Sequence, residues 1–190
     1  SDSPYGSWPT VLAAAVIAIG YHPSDRTTER GALGQEIERK FLVRNADWRA
    51  QADEGMRFRQ AYLHSDSHVA IRVRVVGDEA YLTIKGGGGI VRAEYEYAIP
   101  AGDAQDMIDT LCGDGIVDKT RYLVRNGGHV WEVDVFAGNN EGLVVAEIEL
   151  SSPDEPFARP SWLGREVSDD PRYLNANLVK RPYRLWRTQA

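Results

Sequence analysis

Charged and apolar residues alternate along most of this chain, which is the pattern of half-buried β-strands. In a strand, the side chains of residues i and i+2 point to the same face. Seven segments place ionised side chains on one face and mostly apolar ones on the other: 36–40, 57–59, 72–74, 92–96, 119–121, 132–134 and 147–149. Because both signs of charge recur on strand after strand, the pattern indicates a sheet closed on itself around a charged interior.

Eight strands are predicted from this alternation and from the turn residues between the segments. They cover residues 35–43, 56–63, 69–76, 79–85, 90–99, 119–125, 130–136 and 143–150. Gly77-Asp78 and Asn126-Gly127-Gly128 predict tight turns between consecutive strands. The count predicts a mainly β (α+β) fold, an eight-stranded closed antiparallel β-barrel tunnel with a few short helices.

The few helices are predicted outside these strands. Residues 47–54 read as a short helical connection, and residues 102–111 carry apolar side chains at helical spacing, with Asp103 as the N-cap. Prolines at 153, 156 and 160 interrupt regular structure, and residues 161–186 predict one or two short helices.

Residues 1–34 differ from the rest and are expected to form a leader or extension outside the fold, which leaves residues 35–187 as the domain. The apolar run 11–19 is too short to span a bilayer, and no Lys or Arg precedes it as in a signal peptide. Residues 24–34 are polar, like a linker. A targeting remnant or an extra packed element stays open as an alternative.

Composition narrows the class of partner. The formal net charge of the 190 residues is -6, which argues against general nucleic-acid binding, where a basic surface is expected. Cys112 is the single cysteine, so the chain has no internal disulfide and a cytoplasmic location is expected. No membrane partner is expected either.

The charges that share a face indicate what the interior binds. The acids are Glu36, Glu38, Glu94, Glu96, Glu132, Asp134, Glu147 and Glu149, and the bases are Lys40, Arg57, Arg59, Arg72, Arg74, Lys85, Arg92, Lys119 and Arg121. Carboxylates without nearby His or Cys favour hard cations such as Mg²⁺ or Mn²⁺. Arginine and lysine suit phosphate oxygens, so the set predicts a metal-chelated polyphosphate. An open sheet with paired surface charges is the alternative that the residues leave open.

The ordered motifs resemble the CYTH superfamily, the triphosphate tunnel metalloenzymes. Residues 36–43 (EIERKFLV) look like the family's ExExK signature. Further segments follow in the family's order: QAYL at 60–63, IRVR at 71–74, TIKG at 83–86, RAEYE at 92–96, KTRY at 119–122, WEVDVF at 131–136 and AEIEL at 146–150. The resemblance covers residues 35 to 186.

This resemblance implies metal-dependent hydrolysis of inorganic triphosphate (tripolyphosphate) to pyrophosphate and phosphate inside the barrel, with Mg²⁺ or Mn²⁺ as cofactor. Three alternatives stay open: a class IV-type adenylate cyclase, a thiamine or nucleoside triphosphatase on the same scaffold, and a polyphosphate-binding module without turnover. The motifs do not separate hydrolase from cyclase, because both use these charges. The partner is a small molecule that contains a triphosphate, and a homodimer is compatible with the resemblance.

The resemblance also implies roles, position by position. The metal ligands are Glu36, Glu38, Glu147 and Glu149, with Glu132 and Asp134 at a second site. All nine bases named above are assigned to the triphosphate, and Glu94 and Glu96 orient those bases or bind metal. Lys40, Tyr62 and Lys85 are the catalytic candidates. Tyr62 and Lys85 orient or deprotonate the attacking water, although a wall aromatic is an equal interpretation of Tyr62.

Overall fold

A computed structural model describes residues 35–87, 90–113 and 115–189 of this chain. The predictions for residues 1–34, including the leader and its linker, lie outside the described residues. Two units emerge from the contacts within the chain, and the second, residues 34–190, contains all of the described elements. No helix among the described residues is long and apolar enough to cross a membrane.

The described residues form nine strands and few helical turns. The strands are β1 (Gln35–Val43), β2 (Met56–Ser65), β3 (Val69–Val76), β4 (Glu79–Gly86), β5 (Val91–Ile99), β6 (Val117–Asn126), β7 (His129–Phe136), β8 (Val144–Glu149) and β9 (Leu163–Glu166). The α-helices are α1 (Ala101–Thr110) and α2 (Asn175–Lys180). Short 3₁₀ helices span Asp47–Gln51, Gly138–Asn140, Pro171–Tyr173, Tyr183–Leu185 and Arg187–Gln189.

Eight of these strands close into an antiparallel barrel. The order is β5-β4-β3-β2-β6-β7-β8-β1, and β1 closes the ring by pairing with β5. The closing contact joins the starts of both strands, with Glu36 opposite Arg92. The other edge of β1 pairs with β8, where Lys40 lies opposite Glu147. The predicted closed eight-stranded barrel with few helices is confirmed.

Strand β9 was not predicted, because the tail was expected to hold only helices. It pairs with β1 at Phe41 and Val43, past the point where the start of β5 leaves the edge of β1. Gly164 makes this close approach possible, since a Cβ there would lie 2.8 Å from the carbonyl oxygen of Leu42. Four residues are too few for an alternation pattern to register. The predicted helix in the tail is present as α2.

Two apolar clusters cover the outside of the barrel. The larger lies over β1, β6, β7 and β8, and its members include Phe41, Trp131 and Trp162. The smaller lies under α1, where Ala104 and Ile108 are buried against β2, β3 and β4. The outward faces of these strands therefore carry the apolar residues of the alternating pattern.

Helix α1 begins two residues before the predicted Asp103 cap. The carbonyl of Pro100 accepts a hydrogen bond from the Ala104 N–H at 3.0 Å, so the helix starts directly after β5. Its N-cap is Pro100, which has no side-chain hydrogen bond to offer, and Asp103 lies in the first turn instead. The prediction of Asp103 as the N-cap is therefore wrong, although an acid in the first turn suits the helix dipole.

A third apolar cluster fills one end of the barrel interior. The inward-facing series of β1 and β8 passes from charged residues to the cross-strand pair Leu42 and Val145. This pair packs with residues from the C-terminal segment, including Tyr173, Leu178 and Trp186. The charged part of the interior is consequently bounded at that end by an apolar plug.

Candidate active site

The pairing between strands brings nearly all of the predicted charged residues to the inner wall. Residues directly opposite each other in an antiparallel pair share a face. The inward charged residues are Glu36, Glu38, Lys40, Arg72, Arg74, Lys85, Arg92, Glu94, Glu96, Lys119, Arg121, Glu132, Asp134, Glu147 and Glu149. The closed barrel therefore gathers onto one surface charges that are far apart in sequence.

Arg57 and Arg59 are the exceptions, and the structure contradicts their assignment to the interior. On β2 the inward residues are Phe58, Gln60 and Tyr62, because Gln60 lies opposite the inward Arg74. Arg57 points outward, where its Nε donates to Asp118 at 3.0 Å. With 66% of its side chain exposed, Arg57 cannot reach the interior without a change of register.

One group of interior charges surrounds Glu36. Lys85 Nζ donates to both of its oxygens at 2.9 Å, and Arg92 lies 2.8 Å from it. Arg92 also reaches Glu38 at 3.3 Å, and Lys85 reaches Glu94 at 3.3 Å. Burial and a hydrogen bond shared with Glu94 raise the pKa of Glu36. The basic partners of Glu36 therefore favour its ionised form, and the neighbouring Glu94 opposes ionisation.

A second group surrounds Glu147 and Asp134. Lys40 contacts Glu147, and Arg121 bridges the two acids at 2.6 Å and 2.7 Å. Burial opposes ionisation of Glu147, but Lys40 and Arg121 outweigh it and hold its pKa well below the usual range. Lys119 contacts Asp134, while burial and Arg121 lower the pKa of Lys119 to about 8.

A third group lies on β3, β4 and β5. Arg74 donates to Glu96 at 2.8 Å, and Arg72 donates to the hydroxyl of Thr83 at 3.0 Å. That hydroxyl in turn donates to Glu96 at 2.7 Å. Thr83 on β4 and Glu96 on β5 thus hold the two guanidinium groups of β3 in place.

Four buried polar atoms of the inner wall have no hydrogen-bond partner among the described residues. They are the Nε atoms of Arg72, Arg74 and Arg92, and Oε1 of Gln60. Buried donors are normally paired, because leaving one unpaired costs about 1–3 kcal/mol. Three unpaired guanidinium donors on one wall are the arrangement that an anion with several oxygens would satisfy.

Several inward residues were not named as site candidates from the sequence. Phe58, Gln60 and Thr83 face the interior, and Gln60 and Thr83 are fully buried. A period of two gave a usable signal for each, since Gln60 precedes Tyr62 and Thr83 precedes Lys85 by two positions. The two arginines that flank Phe58 obscured this signal on β2.

The carboxylates of the inner wall also have the oxygen donors that a divalent cation prefers. Glu38 lies directly opposite Glu149, and Glu132 directly opposite Glu147. Like charges in such pairs repel, and a bound cation removes that repulsion. Oxygen ligands without sulfur or imidazole match Mg²⁺ or Mn²⁺. Within the part of the chain that the structure describes, no three acidic, His or Cys side chains are gathered closely enough to hold a metal ion.

Comparison with known proteins agrees with this geometry. The CYTH domain family matches residues 34–183. The chain belongs to the CYTH family. A relative in Acetivibrio thermocellus, named inorganic triphosphatase, is 49% identical over 153 residues, which are 80% of this chain and 97% of the relative.

Two further CYTH relatives cover the same region. An inorganic triphosphatase of Nitrosomonas europaea is 37% identical over 148 residues, 76% of this chain and 96% of its own length. A solved structure of an inorganic triphosphatase is 34% identical, covers 78% of this chain and 97% of its own, and superposes with a TM-score of 0.57. The region that contains the barrel is therefore the part that this chain shares with these relatives.

Proposed function

We propose that this protein hydrolyses inorganic triphosphate to pyrophosphate and phosphate inside the barrel. The observation that carries the proposal is the closed inner wall, where the buried Nε atoms of Arg72, Arg74 and Arg92 have no hydrogen-bond partner and an apolar plug bounds one end of the interior. Such an interior suits a small and highly charged anion. The two triphosphatase relatives, which align with this chain over nearly their whole lengths, support the same substrate.

Divalent metal is part of the proposal, as membership in the CYTH family implies. Among the inward candidates the acids exceed the bases by one, eight against seven. A triphosphate alone would meet an interior without excess positive charge. We assign metal binding to Glu36, Glu38, Glu147 and Glu149, with Glu132 and Asp134 at a second site. The bound metal, Mg²⁺ or Mn²⁺, would screen phosphate oxygens and activate water.

The bases of the inner wall would hold the phosphates. Arg72, Arg74 and Arg92 have free Nε donors and would each contribute to binding oxygens of the anion. Lys40, Lys85, Lys119 and Arg121 would exchange part of their carboxylate contacts for phosphate oxygens. The positive charge of these bases would stabilise the transferring phosphoryl group. Electrostatic stabilisation of this kind is the main source of rate in phosphoryl transfer.

Water attack is assigned to the region near Lys85 and Tyr62. Lys85 is held by Glu36 and Glu94, and the hydroxyl of Tyr62 accepts a hydrogen bond from Gln60 Nε2 at 3.3 Å. Burial raises the pKa of Tyr62, so this hydroxyl keeps its proton and orients water as a neutral group. Lys40 would stabilise the charge that develops on the departing pyrophosphate.

The test is phosphate release from tripolyphosphate by metal-stripped full-length protein, with and without added Mg²⁺ or Mn²⁺, and with ATP in parallel. The proposal predicts metal-dependent release of phosphate and pyrophosphate with strong preference for tripolyphosphate. Cyclic AMP and pyrophosphate from ATP would establish a cyclase instead. Tight binding without any product would establish a binding module.

A further inference from the structure

A row of alternating aromatic and cationic side chains crosses the inner wall, and the proposed reaction makes no use of its rings. Tyr81 lies opposite Arg74, Phe58 opposite Lys119, and Lys119 opposite Phe136. Arg74 lies directly opposite Gln60, and Phe58 is its diagonal neighbour on β2, so the row shifts by two residues between β3 and β2. It crosses β4, β3, β2, β6 and β7 in that order. All five side chains face inward, because each is level with a residue of the charged interior.

Phe58 is at the centre of this row and contacts three cations. Its ring centroid lies 5.3 Å from the guanidinium carbon of Arg121, 5.4 Å from that of Arg74 and 5.8 Å from Nζ of Lys119. These distances fall within the range of about 6 Å over which an aromatic ring attracts a cation. Arg74 lies between two rings, since its guanidinium carbon is also 5.4 Å from the centroid of Tyr81.

An aromatic ring holds a cation in a different way from a carboxylate. A carboxylate cancels the charge that would attract a phosphate oxygen, whereas a ring leaves the net charge unchanged. The cations around Phe58 repel one another: burial and the nearby Arg72 and Arg121 lower the pKa of Arg74 to about 10. An attractive group that adds no negative charge is therefore useful at their centre.

We propose that Phe58 is a positioning residue that gathers Arg74, Lys119 and Arg121 before the anion binds, so that triphosphate meets a prearranged set of cations. The identity of the anion rests on the proposed function. The role of Phe58 does not, because it is defined by the arrangement of the three cations.

The first test compares Phe58→Leu, Phe58→Tyr and the control Phe157→Leu in the full-length protein. Phe157 is a matched control because its ring lies 5.0 Å from the guanidinium carbon of Arg39 on the outside of the barrel. Phe58→Leu should raise KM for tripolyphosphate about tenfold, or about 1.4 kcal/mol, with kcat within about twofold. Phe58→Tyr should restore the wild-type KM, and Phe157→Leu should leave it unchanged.

A purely structural role would lower Tm in Phe58→Leu and leave KM at the wild-type value, and that result would overturn the proposal. Phe58→Met, which keeps volume without a ring, replaces the Leu variant if that one does not fold. The second test is a crystal structure of the ligand-free variant. Displaced Arg74, Lys119 and Arg121 side chains would support the role of Phe58, and unchanged positions would overturn it. This second readout stands even if wild-type protein fails to hydrolyse tripolyphosphate.

Discussion

The neighbouring strands β2 and β3 carry the same motif, two arginines around an apolar residue, and present it on opposite faces of the barrel. Arg72 and Arg74 of β3 face inward, where both reach Glu96. Arg57 and Arg59 of β2 face outward, and most of the Arg57 side chain is exposed. Alternation thus defines two faces of a strand, whereas the pairing between strands decides which face is inside.

The two pairs also differ in energy. Exposed ion pairs such as Arg57 with Asp118 contribute little to stability, because solvent and salt screen the two charges. Buried charges such as Arg72, which is 8% exposed, cost desolvation energy that only well-placed partners offset. A wall of buried charges is therefore a poor source of stability, and its presence in the interior fits a binding role.

The largest effect is expected from replacing the two inward arginines of β3. Arg72→Gln with Arg74→Gln should lower kcat/KM for tripolyphosphate by about 10³-fold or more, because two of the proposed donors to the triphosphate are lost. The matched control, Arg57→Gln with Arg59→Gln, should stay within about twofold of wild type. Steady-state kinetics check both, and equal losses in the two pairs would refute the comparison.

The apolar outer wall should matter for stability instead of turnover. Phe41 is fully buried against Trp131 and Phe157, so Phe41→Ala should lower the free energy of unfolding by about 3–5 kcal/mol. Tyr97→Ala, at a side chain 55% exposed on the same side of the wall, should change it by less than about 0.5 kcal/mol. Urea denaturation measures both, and a small loss at Phe41 would contradict the role of this cluster.

A smaller effect is expected from neutralising two acids of β1. Glu36→Gln with Glu38→Gln should lower metal-dependent turnover by about 10²-fold while the protein still folds, because two of the proposed metal ligands are lost. The control is Glu166→Gln, which removes an acid that pairs with Arg39 outside the barrel. Turnover is measured across a range of Mn²⁺ concentrations. Unchanged turnover in the double variant would remove both residues from the metal site.

The smallest effect is expected from deleting residues 1–34, which the family match leaves out almost entirely. Since all of the described elements lie after this segment, activity and Tm should remain nearly unchanged. Tripolyphosphate hydrolysis and thermal unfolding of the shortened chain check this. A large loss of either would place the segment within the functional fold.

The sequence was sufficient to predict the strands with clear alternation. It was not sufficient where contacts between distant parts of the chain determine the structure. Residues 35–43 and 69–76 were predicted with the bounds that the structure has for β1 and β3. The plug was not predicted, because it joins Leu42 and Val145 to side chains from the far end of the chain. The same holds for β9, whose four residues depend on the edge of β1.

The residues of the candidate site could likewise be predicted only in part. Most inward charges could be named, because a period of two places them on one face and the family motifs fix their order. The inward face of β2 could not be identified from the sequence. Arg57 and Arg59 are more polar than Phe58, and the alternation is equally compatible with either set of residues facing inward. The pairing of Gln60 with Arg74 resolves this ambiguity, and a single strand carries no information about that pairing.

Binding of triphosphate and metal inside the barrel is tested by a crystal structure of the protein with tripolyphosphate and Mn²⁺, using the anomalous signal of the metal. We expect the anion inside the barrel, in contact with Arg72, Arg74 and Arg92, and the metal on carboxylates of β1 and β8. An anion bound on the outer wall, near Arg57 and Arg59, would contradict this expectation.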